Sequence, residues 1–265
     1  MKQHAKNNKE KHEFALFCTT ISTLVNAIEN DQTFLLTDEN LVKRMSSILR
    51  LEKNQTCILF NKKINVHCSI LEYIGKKQIR LTLLNKKNNT DLFPHITFLL
   101  PLLKRDDLET TLYSLTEIGI NTIQLVTTQK TQGSWNNYKD TDRIDRIIIA
   151  AAEQSKNFSY PTLLSPIPLL QALSEKTSTK LFFDPHGESF FTIMNTIFHH
   201  HTNNITLLIG PEGDLTTEEK NLLKNHNFTF CTLTPTVLRA TQAASLGAGF
   251  IRSLLPCTTQ TNVFK

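Results

Sequence analysis

A chain of 265 residues, 40% hydrophobic and 20% charged, can bury one large core or two smaller ones and is too apolar for a disordered segment. No apolar run reaches the roughly 18–20 residues of a membrane helix, and the basic start MKQHAKNNKEKHEF leads into no signal-like apolar core, so a cytoplasmic protein is expected. The net charge of +5 is uneven: residues 1–92 hold 15 Lys/Arg against 9 Asp/Glu, and residues 93–265 hold 14 against 15, as for a nucleic-acid docking module joined to a neutral domain, or simply a Lys- and Asn-rich composition.

The first third reads as short strands. Thr33–Leu36, Thr56–Phe60, Val66–Ile70 and Gln78–Leu83 are β-branched or apolar, and turn-like pieces such as Asn61-Lys62-Lys63 and Gly75-Lys76-Lys77 separate them. One helix, from about Asp38 to Leu49, sets Leu41, Met45, Ile48 and Leu49 on one face. A small β-barrel would close such strands. Asn85–Thr90 reads as a polar linker.

From Pro94 strands and helices alternate. Strands are expected at His95–Leu100, Thr122–Thr127, Leu181–Phe183, Ile205–Ile209 and Phe228–Leu233. Helices are expected at Asp106–Ile118, Arg143–Ser155, Ser189–Phe198, Thr217–Asn225 and Thr241–Leu254. Such alternation predicts a parallel sheet covered on both faces. Ligands bind beyond the carboxyl ends of strands in such sheets, so the loops after Phe183, Ile209 and Leu233 are where chemistry is sought.

Gly210-Pro211-Glu212-Gly213 follows one of these strands. Proline fixes φ and the glycines permit close approach or positive φ, so the turn can offer main-chain groups to a ligand, or merely join strand to helix. Thr216 and Glu219 form a capping box for the next helix. No phosphate-loop or dinucleotide glycine pattern occurs among the 8 glycines. Leu233 to Ala244 leads into a helix rich in small residues (Ala243, Ala244, Ser245, Gly247, Ala248, Gly249), which packs backbone-close as an internal seam, a subunit interface or around a threaded chain. Arg239 at its head opposes the helix dipole, which favours a role towards phosphate or substrate. The five scattered cysteines (Cys18, Cys57, Cys68, Cys231, Cys257) read as reduced core thiols, and His199-His200-His201 as a helix end, so no metal is expected.

Thr116-Glu117-Ile118-Gly119, Ala152-Glu153-Gln154-Ser155, Gly210-Pro211-Glu212-Gly213 and Leu238-Arg239 with Ala243 stand in one order along the chain. In this order they resemble motifs of the ribosomal RNA small-subunit methyltransferase E family, a SPOUT-class group that methylates N3 of a 16S rRNA uridine. The resemblance spans nearly the whole chain. It implies an α/β fold: a PUA-like β-barrel RNA-binding domain over residues 1–90, then a trefoil-knotted SPOUT methyltransferase domain with a parallel sheet over 91–265. Knots are rare exceptions to unknotted topology. It further implies S-adenosylmethionine as cofactor, 16S rRNA or the small ribosomal subunit as partner, a homodimer, and neither membrane nor metal.

Carried onto this sequence, the cofactor would lie against Phe183, Asp184, Gly210, Pro211, Glu212, Gly213, Leu233, Val237, Leu238 and Arg239. Arg239 would stabilise a uracil oxyanion, with Glu212 or Glu117 as proton acceptor. Lys43, Arg44 and Arg50 would contact RNA phosphates. The sequence departs from the family at Asp214 (a glycine), Thr236 (an arginine), Thr241-Gln242 (Glu-Thr), Ser114 (a basic residue), Asn157 (an arginine) and Gln129-Lys130 (Glu-Arg). Two alternatives stand beside this reading: a catalytically weakened RNA-binding protein serving ribosome assembly, and a knotted methyltransferase acting elsewhere on RNA, such as a ribose 2′-oxygen.

Overall fold

The computed structural model describes residues 13–133, 135, 139–173, 179–198 and 203–254. The chain divides into two compact units, Met1–Asn89 and Thr90–Lys265. His199, His200, His201 and Cys257 lie outside the described residues.

The first unit is built on strands β1 (Phe14–Phe17), β2 (Thr33–Leu36), β3 (Thr56–Phe60), β4 (Ile64–Ile74) and β5 (Gln78–Asn88), in the order β1-β3-β4-β5-β2. Four of the five were legible as apolar or β-branched runs. The expected barrel is not closed: β1 and β2 stand at the two ends of the sheet, with no pairing between them among the described residues. Helices supply the cover that closure would otherwise give. Ile21 of α1 (Ile21–Leu24) and Leu41 and Val42 of α2 (Glu39–Lys43) are buried in one core with Leu36, Val66 and Leu81.

Two local expectations fail here for physical reasons. The polar run after Leu83 is mostly strand, since Asn65 pairs with Lys87 and Ile64 with Asn88. Lys86 also donates from Nζ to the Val25 carbonyl at 3.1 Å. After α2 the helix widens into a π turn over Arg44–Ile48. Such a turn advances fewer degrees per residue than an α-helix, so Ile48 swings out to 69% exposure while Val42 and Met45 take the core face.

The second unit carries a six-stranded sheet in the order β11-β9-β10-β6-β7-β8, with every pairing parallel. Its strands are β6 (His95–Pro101), β7 (Thr122–Thr127), β8 (Thr162–Pro168), β9 (Thr179–Ser189), β10 (Asn204–Ile209) and β11 (Thr229–Thr232). Between and after them run α3 (Arg105–Ile118), α4 (Lys139–Ser155), α5 (Leu169–Ala172), α6 (Phe190–Phe198), α7 (Thr217–Asn225) and α8 (Ala240–Leu254). Alternate residues face opposite ways, as a strand's period of two requires. Ile96, Phe98 and Leu100 of β6 share a core with α3, α4 and α8, whereas Leu99 packs with Leu169 of α5 and Leu223 of α7. Both faces are therefore covered, which is why these strands read as continuous apolar runs.

The strand order reverses beside β10 and β6, and such a switch point opens a crevice at the carboxyl ends of the strands. At the opposite ends, buried hydrogen bonds tie the helix termini together. Arg252 near the end of α8 donates to the carbonyls of Pro94 (3.1 Å) and Gly119 (2.6 Å) and to Asn121 Oδ1 (2.9 Å). Gly119 closes α3 in the left-handed region at φ 90°, where only glycine is unstrained.

Candidate functional site

The site begins with a break in pairing at β9. Its register with β11 runs Leu181↔Thr229 and Phe182↔Phe230, then jumps to Glu188↔Cys231. Phe183 to Gly187 thus leave the β11 ladder and form a wall. Gly187 permits this because a Cβ there would stand 2.5 Å from the Cys231 nitrogen. Asp184, buried in that wall, accepts the His186 backbone N–H at 2.7 Å.

The loop after β10 is the second wall. Its left-handed residue is Asp214, at φ 59°, and neither Gly210 nor Gly213 has a positive φ. Aspartate tolerates this region because its short side chain bonds locally: Asp214 Oδ1 accepts the Leu215 N–H at 2.7 Å. Gly210 instead gives room, since a Cβ on it would lie 3.0 Å from that same carboxylate oxygen. Glu212 Oε1 accepts the Lys104 N–H at 2.9 Å and so braces the loop against the start of α3.

The expected capping box is present. Thr216 Oγ1 accepts from the Glu219 N–H (3.3 Å), and Glu219 Oε2 accepts from the Thr216 N–H (2.9 Å). Glu219 does more than cap, because its Oε1 accepts the Gln129 N–H at 2.8 Å. Next to it, Lys130 Nζ donates to the Gly213 carbonyl at 2.9 Å. The Lys130 side chain thereby fastens the loop after β7 to the glycine turn, and the Gln129 backbone fastens it to α7.

Beyond β11 the chain turns on threonine hydroxyls, Thr232 donating to the Thr234 carbonyl (3.0 Å) and Thr234 to that of Thr236 (2.8 Å). α8 then packs its small residues inward, and the tightest contact is Gly247 against the Phe183 ring. The internal-seam reading of this helix describes Gly247, Ala244 and Ala248, all buried.

These walls enclose a cavity of about 640 Å³, within the size range of small-molecule sites. Phe183, Pro211, Leu233, Val237 and Leu238 give it apolar surface, and Val237 is 79% exposed. Four carboxylates also line it, those of Asp107, Asp184, Glu212 and Asp214. The Arg239 side chain is exposed at the head of α8 and has no hydrogen-bond or ion-pair partner among the described residues. A cavity with carboxylates in excess suits a cationic ligand, and a flat apolar strip beside exposed backbone suits a heteroaromatic ring.

Lys220, which the sequence did not single out, joins two walls. Its Nζ lies 2.7 Å from Asp184 Oδ2 and 2.7 Å from Asp214 Oδ2. Burial pulls the ammonium pKa down, but the bonds to the two carboxylates outweigh it and hold the group above the ordinary lysine value. Burial pushes the Cys231 thiol, at the cavity's base, up to about 12, and a thiol so buried is inert. Cys18, Cys57, Cys68 and Cys231 are all free and buried. Among the described residues, no group of three or more His, Cys, Asp or Glu could hold a metal ion.

Nine of the ten residues expected at the cofactor line this cavity, and Gly213 sits just outside it, against Lys130. Of the catalytic candidates, Arg239 and Glu212 line it and Glu117 does not. Glu117 is exposed near the end of α3, ten residues and about 15 Å along the helix axis from Asp107. Asp107 itself was missed, because nothing in a helix's first turn marks it as facing a ligand. In the first unit, Lys43 and Arg50 are exposed and Arg44 is half-buried.

Residues 91–251, more than half of the chain, match the model of the RNA methyltransferase domain family. The ribosomal RNA small subunit methyltransferase E of Rickettsia conorii is 25% identical over 229 residues, covering 85% of this chain and 91% of that protein. A protein of the same name, numbered 1, from Borreliella burgdorferi is 26% identical over 223 residues, covering 80% of this chain and 87% of its own. In fold, the chain is similar to a ribosomal RNA small subunit methyltransferase E from Neisseria gonorrhoeae solved bound to S-adenosyl methionine. The TM-score is 0.76 at 24% identity, covering 92% of this chain and 98% of that one.

Proposed function

The chain belongs to the RNA methyltransferase family, and on that premise we propose that it transfers the methyl group of S-adenosylmethionine to N3 of a uridine in 16S rRNA of the small ribosomal subunit. The observation that carries this reading is the acidic, backbone-lined cavity at the carboxyl ends of β9, β10 and β11, with an unengaged guanidinium at its edge. Phe183, Leu233, Val237 and Leu238 offer the apolar surface for an adenine ring. Gly210 and Pro211 offer main-chain groups, and the Asp107 and Glu212 carboxylates, which Lys220 does not engage, offer the charge for a sulfonium and an ammonium.

When bound, the cofactor supplies an electrophilic methyl carbon; the rest is positioning and proton handling by the chain. Uracil N3 is not nucleophilic until its imide proton leaves. Arg239 stabilises the oxyanion that forms as it does. Glu212 is the proton acceptor: Oε1 is anchored on the Lys104 N–H, which leaves Oε2 to take the proton. Glu117, at the other end of α3, has no part in the step. The first unit serves as a PUA-like RNA-docking domain, with Lys43, Arg44 and Arg50 on phosphates. The second is the knotted catalytic domain of a homodimer working in the cytoplasm, where its ribosomal substrate is assembled.

The test is methylation of unmodified 16S rRNA or small subunits, followed by nuclease digestion and mass spectrometry. The expected product is a uridine methylated at N3; a ribose methyl, or no transfer, would overturn the proposal. Arg239→Ala should slow single-turnover transfer by about 10²–10³-fold without lowering the melting temperature. An unchanged rate would remove the oxyanion role.

A further inference from the structure

We infer that Lys220 is a positioning residue for the cofactor cavity, clamping the β9 and β10 loops through Asp184 and Asp214. The geometry is reciprocal. Each carboxylate spends one oxygen on its own loop's backbone, Asp184 Oδ1 on the His186 N–H and Asp214 Oδ1 on the Leu215 N–H, both at 2.7 Å. Each gives its other oxygen to Lys220 Nζ, again at 2.7 Å. One ammonium therefore couples two turns that are separate in sequence and share the cavity between them.

The clamp also accounts for the aspartate at position 214, where the resembled family has glycine. A glycine would take the left-handed conformation without strain, whereas aspartate relies on its bond to the Leu215 N–H to hold it and brings a second carboxylate beside that of Asp184. Two such carboxylates repel, and a shared cation removes the repulsion. Lys220 is suited to this task and not to gripping RNA. Its side chain is only 22% exposed, it lies 5.9 Å from the centre of the Phe182 ring, and its charge is already engaged by two anions. The Asp184 partner is 3% exposed, so the contact is shielded from salt as a surface pair is not.

The inference rests on the cofactor reading above, so its test has one arm that does not need the cofactor. Hydrogen exchange is measured on the unliganded wild type, Lys220→Met and Lys220→Arg. In Lys220→Met the His186 and Leu215 amides should exchange about tenfold faster, with the α7 amides unchanged, and Lys220→Arg should restore most of the protection. Unchanged exchange at both amides would overturn the clamp. So would loosening spread evenly along α7, or an arginine variant as loose as the methionine one, since either makes Lys220 a packing residue. The second arm is calorimetric titration with S-adenosylmethionine. The dissociation constant should rise about tenfold in Lys220→Met and return to near wild type in Lys220→Arg. Equal affinity in all three proteins would overturn the positioning role. No uptake by the wild type would refute the cofactor reading, while the exchange arm still decides the clamp.

Discussion

The two ends of the second unit's sheet are built on different principles, although the motifs that mark the family are shared between them. At the amino ends of the strands, polar groups are buried or half-buried and bonded to main-chain carbonyls. Arg252 serves Pro94 and Gly119, Asn121 Nδ2 donates to the Leu92 carbonyl, and Asn157 Nδ2 donates to the Thr116 carbonyl at 2.8 Å. At the carboxyl ends, polar groups line a cavity. Thr116-Glu117-Ile118-Gly119 and Ala152-Glu153-Gln154-Ser155 close helices at the amino end. Gly210 to Gly213 and Leu238-Arg239 shape the cavity. A motif that recurs in a family can thus hold a helix end or a ligand, and only its place on the sheet distinguishes the two.

If the comparison holds, amino-end substitutions cost stability and spare affinity. The largest effect is expected from Arg252→Met. It leaves the buried carbonyls of Pro94 and Gly119 without this donor, while Asn121 Oδ1 keeps only the Ile96 N–H, a loss of about 3 kcal/mol or more. Thermal or urea unfolding measures the loss, and titration of the folded protein with S-adenosylmethionine should give wild-type affinity. A large drop in affinity would mean that the two ends are coupled. Gly247→Ala sits between the regimes, because its new methyl meets the Phe183 ring that walls the cavity. Overpacking there should cost about 1–3 kcal/mol and weaken the cofactor as well. Asn157→Ala should be milder still, about 1 kcal/mol for one hydrogen bond, again with affinity unchanged. Asn157, just past α4, bonds to α3 and does not line the cavity.

How far the sequence revealed these two ends depends on whether the signal was periodic or positional. The parallel sheet, the Thr216–Glu219 capping box and the three loops that line the cavity were legible, because apolar runs, caps and turn residues are local. β8 was not, because its two prolines argue against a strand; they are tolerated since β8 lies at the sheet's edge. β9 was cut short at Phe183 because Asp184-Pro185-His186-Gly187 reads as a turn, whereas the strand runs on through it with a bulge-like shift of register against β11. Lys220 and Asp107 carry no local signal at all. Their roles come from contacts between segments far apart in the chain, as does the bond from Glu219 to Gln129.

The smallest expected effect, and the one most specific to the carboxyl end, is the pH dependence of the Lys220 clamp. Its pKa lies above the ordinary lysine value in the folded protein, since the bonds to Asp184 and Asp214 outweigh the opposing effect of burial. The folded state therefore holds this proton more tightly than the unfolded chain does. Linkage then makes its contribution to stability complete below the unfolded lysine pKa and lost as pH rises through the folded one. The difference in unfolding free energy between wild type and Lys220→Met should stay constant from neutral pH to about 9 and shrink only at higher pH, beyond lysine's usual range near 10.4. Lys220→Arg should keep its advantage over Lys220→Met throughout, because a guanidinium does not titrate there. A difference that already narrowed between neutral pH and about 9 would assign the clamp to a group other than the ammonium. One that never narrowed would reduce Lys220 to its aliphatic stem, and the carboxyl end would then be held by packing, unlike the hydrogen-bonded amino end.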